Sequence, residues 1–263
     1  MAHSSKANTS GTVQKALRAL QIISDHCRDS GRYGLNLKEI AEAAGFDPAT
    51  TYRYLQSLEE YGLIQKDDKN RYKLGLKIVE LYHVFDNSNE LRQIAYDHMV
   101  VLSKETQETV FLGVLDGLEV SYIERVDSPL PVRPFTQIGG RNRLYSTGLG
   151  KALLAFAEPD VQAAVLGGEL ERMTETTITD PEKLAIEMRK TVERGFSIDN
   201  MENEEQIRCV GAPIHNSAGK LCGALSISGP GFRVSIDRLL TDLGPKVKAT
   251  AEQISKAMGY RQV

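Results

Sequence analysis

The chain has 263 residues, 41% of them hydrophobic and 25% charged, with a net charge of −3. That length suits about two domains, the composition excludes a largely disordered chain, and no apolar run approaches a membrane span. Cys27, Cys209 and Cys222 lie far apart in no CxxC pair, against a disulfide framework or structural zinc. They fit a reducing cytoplasm, as does the polar stretch 1–10, which lacks an apolar signal core.

The acidic total hides an asymmetry. Residues 1–75 carry eleven Lys/Arg against nine Asp/Glu, a balance of +2; residues 76–263 carry 21 against 26, a balance of −5. A mildly basic module on an acidic body permits nucleic-acid binding at the N-terminal end.

A polar arm expected to be disordered covers residues 1–11. Val13, Ala16, Leu17, Leu20, Ile23 and Cys27 then recur at helical spacing, and Gly31 and Gly34 end that helix. A short second helix over 37–44 has Gly45 as its C-cap. Asp47-Pro48 pairs an N-cap with proline at the first helical position, opening a third helix that runs to about residue 61. Residues 63–65 and 71–74 flank a polar stretch and read as a hairpin with a charged tip. Three helices and a hairpin within 12–75 form a winged helix-turn-helix pattern.

On the third helix Thr51, Leu55 and Leu58 share an inward face, and Tyr52, Arg53, Gln56, Glu59 and Glu60 lie away from it. Thr50 and Thr51 occupy the first turn, where a recognition helix meets base edges or phosphates. DNA contacts are therefore expected from Thr50, Thr51, Tyr52, Arg53 and Gln56 in the major groove. Lys66, Lys69, Arg71 and Lys73 of the hairpin would meet the backbone or minor groove. Glu59, Glu60, Asp67 and Asp68 oppose phosphate, so a dimer on two half-sites would supply the missing affinity. A helical module that binds protein is the alternative.

Leu76, Ile78, Val79, Leu81, Tyr82 and Phe85 form a broad apolar face on a linker helix over 76–88, suited to dimerisation. A second domain fills 89–263. Its elements are a hairpin of 110–115 and 120–123 around Asp116-Gly117, a helix over 148–157 and a helix over 181–193 ending at Gly195. A second hairpin of 207–214 and 221–228 and a final helix over 235–258 complete it. Strands with segregated helices make this an α+β sensor around an antiparallel sheet.

Three constellations invite chemistry. Ser146-Thr147-Gly148-Leu149-Gly150-Lys151 is not a phosphate loop: Tyr145 and Ala152 stand where that motif needs glycine and a hydroxyl. It remains a hydroxyl-capped helix start, either a plain cap or a seat for a carboxylate on backbone N–H groups. Ser226 and Ser228 point to one face of a strand, with Cys209 on the partner strand and Asp199 upstream. They line a pocket or simply pack tightly. Cys209 as an enzyme nucleophile with His215 as its base is a remote alternative, because six residues of strand separate them. Arg133, Arg141 and Arg143 surround Gly139-Gly140, as a solvated face or as attractants for an acid. His3, His26, His83, His98 and His215 show no ligand spacing, so neither metal nor cofactor is expected.

From about residue 12 to 258 the chain resembles the IclR family of bacterial transcription regulators. Residues 50–58 (Thr-Thr-Tyr-Arg-Tyr-Leu-Gln-Ser-Leu), Tyr72-Lys73-Leu74-Gly75 and the block 145–155 carry the likeness, with Asp199-Asn200, Glu204-Glu205, the block 207–214 and Ala224 to Pro230. Gln137 to Asn142 and Met258-Gly259-Tyr260 resemble the KdgR-type repressors of pectin and hexuronate breakdown. The resemblance implies a winged helix-turn-helix, a linker helix and a GAF/PAS-like effector domain, assembled as a homodimer or dimer of dimers on double-stranded operator DNA, with no enzyme activity. It also implies a small organic-acid effector, a sugar acid or keto acid such as 2-keto-3-deoxygluconate, held by Gly148, Leu149, Asp199, Ile207, Cys209, Ser226 and Ser228. An activator or dual regulator of aromatic or small carboxylic acid breakdown is the alternative within the family. Because an ionised aspartate repels a carboxylate, Asp199 is expected to accept a ligand hydroxyl or to be neutral when the site is filled. The spacer Asn203 to Ile207 departs from the family's pattern, in which a longer, glycine-containing spacer is common.

Overall fold

The computed structural model describes residues 11–30, 34–134 and 136–261. They fall into two compact units, Met1–Ser88 and Asn89–Val263.

The first unit holds α1 (Gly11–Ser30), α2 (Leu37–Ala44), α3 (Pro48–Glu60), β1 (Ile64–Lys66), β2 (Tyr72–Leu74) and α4 (Lys77–Ser88). Gly11 already opens α1; the rest of the arm, and Gly31, lie outside the described residues. Local chemistry sets the boundaries. The Asn36 side chain accepts the Glu39 N–H at 3.0 Å while the Glu39 carboxylate accepts the Asn36 N–H at 2.7 Å, a reciprocal cap on α2. Gly45 ends α2 in the left-handed region at φ +69°, and the Asp47 side chain caps α3 by accepting the Thr50 N–H at 2.9 Å. Ala19, Ile23, Leu35, Ile40, Leu55, Leu58, Ile64 and Tyr72 form the core, each large member contributing about 1.5–3 kcal/mol by burial. Leu35 pairs with Tyr72 through two backbone bonds of 3.0 and 2.7 Å, tying the β1–β2 wing to the helices. By contrast, Val79, Leu81, Tyr82, Val84 and Phe85 of α4 are all exposed, and so are Val13 and Leu17 of α1.

The second unit is a six-stranded antiparallel sheet in the order β5-β4-β3-β8-β7-β6. The strands are β3 (Thr109–Asp116), β4 (Glu119–Val126), β5 (Arg141–Arg143), β6 (Ser197–Asn200), β7 (Ile207–His215) and β8 (Leu221–Pro230). Helices α5 (Glu90–Thr106) and α10 (Gly244–Ala257) cover one face, where Val110, Leu112, Leu225 and Ile227 join Met99, Leu102, Val247 and Ile254. Helices α6 (Gly148–Phe156), α7 (Pro159–Leu166) and α8 (Pro181–Arg194) cover the other, where Phe111, Tyr122 and Ala224 meet Leu149, Leu153 and Met188. Alternate residues of β3 and β8 thus serve opposite cores.

The final helix expected over 235–258 is not continuous. A short α9 (Ile236–Arg238) runs into a π turn, Leu239–Leu243, in which the Gly244 N–H reaches the Leu239 carbonyl, and α10 follows with Pro245 in its first turn. Pro245 has no N–H to continue the regular ladder, so the chain widens by one residue ahead of it. Strands β5 and β6 and helix α7 had no counterpart in the sequence reading. They are short, and Ser197-Ile198-Asp199-Asn200 shows no apolar alternation.

Candidate functional site

Two regions gather the chemistry, one in each unit. In the first, α3 presents Tyr52, Arg53 and Gln56 to solvent, with the Gln56 amide donating to the Tyr52 hydroxyl at 3.2 Å. Thr50 is half-buried beside them. Thr51 does not belong to this surface. It is fully buried, and its hydroxyl donates to the Asp47 carbonyl at 2.9 Å, so it packs the core instead of reaching DNA. From the wing, the Lys66 ammonium sits 4.8 Å from the Tyr72 ring centre and 5.6 Å from that of Tyr52, within cation–π range. A hydrogen bond with Tyr72 raises its pKa.

Lys69 is exposed at the tip, but Arg71 is committed locally. Its Nε and a terminal nitrogen hold the Asp67 carboxylate at 3.0 and 2.9 Å. Asp67 also accepts the N–H groups of Lys69 and Arg71, each at 2.9 Å. These contacts, the Arg71 N–H first, pull its carboxyl below the usual range. Arg71 therefore also shapes the wing turn. Sequence reading missed Lys15 and Arg18, whose charged groups lie 5.6 and 5.7 Å from the Phe46 ring in the turn between α2 and α3. Both add positive charge beside the turn.

In the second unit, register does the positioning. Asp199 pairs with Cys209 and Cys209 with Ser228, one row across β6, β7 and β8; Gly211 pairs with Ser226, and Ser226 with Phe111, in the next row. The N-terminus of α6 rests on these rows. A Cβ on Gly148 would lie 2.8 Å from the Cys209 Cβ, and one on Gly211 would overlap the Gly148 carbonyl at 2.5 Å. Only glycine at both positions lets helix and strand approach so closely. Thr147 caps the helix through the Gly150 N–H at 2.9 Å. Among the described residues the Gly148 and Leu149 N–H groups have no acceptor.

All seven expected ligand positions, Gly148, Leu149, Asp199, Ile207, Cys209, Ser226 and Ser228, line one cavity. Phe111, Tyr122, Pro134, Thr136, Asn142, Thr147, Asn203 and Glu204 complete its wall. Tyr122 and Asn142 come from β4 and β5, and Asn203 and Glu204 from the strap between β6 and β7. The free volume is only about 30 Å³, room for one or two waters. Gln206 ends the strap at φ +67°, and Met201 opens it at φ +63°.

Burial governs the site's electrostatics. The Lys151 ammonium, 1% exposed, holds both Glu202 oxygens at 2.6 and 2.7 Å. Asp199, equally buried, accepts the Glu202 N–H at 2.7 Å. Burial, opposed by the nearby Lys151 charge, pushes its carboxyl up to about 7, and burial raises Glu202 as well. The Cys209 thiol lies 3.0 Å from the Ser228 hydroxyl and is pushed well above its ordinary value by burial and by Asp199. A thiol so held is a poor nucleophile. His215 cannot serve it, because its ring stacks on Tyr260 and lines a separate cavity of about 250 Å³. Among the described residues no cluster suits a metal ion.

The arginines around Gly139-Gly140 face surface carboxylates. Arg141 pairs with Asp116 and Glu119, Arg143 with Glu171, and Arg133 with Asp127. None of them lines the cavity.

Comparison with known proteins follows the same division. Residues 12–68 match the IclR helix-turn-helix domain, and residues 84–256 match the bacterial transcriptional regulator IclR C-terminal family. The HTH-type transcriptional regulator KdgR of Escherichia coli (strain K12) is 36% identical over 228 residues, 86% of either chain. The crystal structure of the Thermotoga maritima IclR superposes with a TM-score of 0.77 at 34% identity, covering 95% of this chain and 99% of that one. An IclR homologue from Microbacterium hydrocarbonoxydans, solved with 4-hydroxybenzoate, shares the fold with a TM-score of 0.82 at 23% identity, over 94% of this chain and 98% of that one.

Proposed function

The chain belongs to the IclR family of bacterial transcriptional regulators, and on that premise we propose that it is a repressor released from its operator by a small organic acid bound among β6, β7, β8 and the start of α6. The observation that carries this reading is that Gly148 and Leu149, whose N–H groups have no acceptor among the described residues, line one cavity with Ser226, Ser228 and Asp199. A helix start with free N–H groups favours an anion, and the serines and asparagines suit hydroxyl or keto groups. The likeness to KdgR supports a sugar acid or keto acid, such as 2-keto-3-deoxygluconate. The Phe111–Tyr122 ring pair at 5.4 Å supports a second reading, an aromatic hydroxy acid of the kind held by the Microbacterium homologue.

Regulation follows from the tight fit. Only about 30 Å³ of the cavity is open to water, so an acid seated there displaces that water and presses on β6, β7, β8 and the start of α6 together. Binding then draws the sensor toward a more open arrangement, and a differential affinity of about 1–3 kcal/mol between arrangements changes DNA affinity roughly 5–150-fold. The protein works as a dimer in the cytoplasm. The exposed apolar residues of α4, with Val13 and Leu17 of α1, supply the surface for pairing, and two copies of α3 read two half-sites. No helix among the described residues is long and apolar enough to cross a membrane.

The test uses duplexes selected by the full chain from a random pool. A panel of sugar, keto and aromatic acids should raise the thermal midpoint and release the duplex, and Ser226→Ala with Ser228→Ala should abolish both effects while DNA binding persists. An undiminished shift in that variant places the ligand elsewhere.

A further inference from the structure

The cavity contains more acid than an acid-binding site needs. Its wall carries two carboxylates, Asp199 and Glu204, and among the described residues no Lys, Arg or His. The three nearby arginines are turned onto surface carboxylates, and Lys151 spends its charge on both oxygens of Glu202. Among the described residues, the positive feature left at the wall is the start of α6. A helix N-terminus amounts to about half a unit charge, enough to hold one carboxylate.

A second anionic group on the ligand would therefore find no cation and would lie beside Asp199 in the desolvated interior or beside Glu204 at the rim. A hydroxyl or amino group in the same place would find acceptors. The wall also offers an uncommitted group: Ser226 is 3% exposed, lines the cavity, and its hydroxyl is in no hydrogen bond with another described residue. Resting on the reading of this cavity as the effector site, we infer that it selects by charge number. It takes an acid with a single carboxylate seated on the Gly148 and Leu149 N–H groups, with hydroxyl or amino donors directed at Asp199 and Glu204. It rejects dicarboxylates and phosphorylated acids of the same skeleton.

Asp199 and Glu204 are then specificity-determining residues with different weights. Asp199 is faced by Lys151 from α6, Cys209 from β7 and Glu202 from its own strap, and burial keeps it partly protonated near neutrality, which lessens its repulsion of the bound carboxylate. Glu204 is exposed at the rim and carries more of the exclusion.

The experiment uses the full chain and pairs of acids that share a skeleton and differ by one anionic group. These are glycerate and tartronate, gluconate and glucarate, gluconate and 6-phosphogluconate, and 4-hydroxybenzoate and 4-hydroxyisophthalate, compared by titration calorimetry. In every pair with a binding member, the monocarboxylate should bind at least about 100-fold tighter, and Glu204→Gln should narrow the gap to about tenfold or less. Asp199→Asn, which keeps an acceptor for the Glu202 N–H, should narrow it as well. Equal binding of a dicarboxylate by the unaltered chain overturns the charge rule, and so does a gap that neither variant changes. If no acid in the set binds, or if binding survives Ser226→Ala with Ser228→Ala intact, the reading of the cavity itself fails, and the rule with it.

Discussion

The exposed face of α3 and the cavity at the start of α6 use similar residue types under opposite physical conditions. Tyr52, Arg53 and Gln56 stand in water, where charges are screened within about 10 Å and each contact is weak. Lys151, Glu202 and Asp199 are almost wholly desolvated, where an unpaired charge costs several kcal/mol. The first surface can gain affinity only by repetition, two half-sites and many phosphates. The second can discriminate between ligands that differ by one proton or one carboxylate. A regulator needs both kinds of site, and each change below tests whether this contrast holds.

The largest effect should come from Lys151→Met. It leaves the Glu202 carboxylate buried without its cation and should destabilise the second unit by about 3–5 kcal/mol, read from urea unfolding. Lys151→Met combined with Glu202→Leu removes both charges and should recover much of that loss. If the single change costs under about 1 kcal/mol, the pair is hydrated and the contrast between the two sites disappears.

Next in size, Arg53→Ala should weaken specific DNA binding about 10–100-fold with an unchanged melting temperature, as expected for losing a base-reading contact of about 1–3 kcal/mol. Thr51→Val, two residues away, should do the reverse. It removes the hydroxyl bond to the Asp47 carbonyl, costs roughly 1 kcal/mol of stability and leaves sequence preference unchanged.

These neighbours also show what was legible before the structure. The helices of the first unit follow from local rules: the Asn36–Glu39 cap, Gly45 and Asp47-Pro48 act within a few residues of themselves. The shared face of Ser226 and Ser228 follows from the two-residue period of a strand. Asp199 reaches the cavity through β6, a four-residue edge strand with no apolar alternation, which only pairing with β7 reveals. Tyr122, Asn142 and Glu204 arrive from three separate segments, and no spacing in the chain links them. Arg71 reads as a free cation until the wing turn places it on Asp67. Whatever depends on sequence neighbours or on a single hairpin, as Cys209 opposite the serines does, was readable, and the edge pairing of β6, the distant wall segments and the ion pair at Arg71 were not.

A third test uses pH. Asp199 has a native pKa of about 7 against an ordinary 3.8, so the native state keeps a proton that the unfolded chain releases. Its contribution to stability therefore falls as pH rises from about 4 to 7. A bound monocarboxylate adds negative charge nearby and draws Asp199 further toward its protonated form. Affinity should hold below about pH 7 and decline above it, and Asp199→Asn should flatten the profile in calorimetric titrations. A ligand presenting an ammonium group to Asp199 should show the opposite slope, and the sign thus identifies what faces the carboxylate.

The smallest effect concerns the strap that carries Glu204. Gln206 holds φ +67°, a region that costs a side-chain-bearing residue about 1–2 kcal/mol and glycine little. Its carbonyl accepts the Gly231 N–H at 2.6 Å, and that bond does not need the Gln206 side chain. Gln206→Gly should relieve the strain while adding about 0.5–1 kcal/mol of unfolded-chain entropy, for a net gain of up to about 1 kcal/mol in thermal unfolding. The same change lowers the cost of moving the strap. If the closed cavity opens by displacing residues 201–206, ligand should associate faster in stopped-flow mixing while the ranking of mono- over dicarboxylates is kept. A stabilised variant with unaltered association kinetics would assign the opening to another part of the cavity wall.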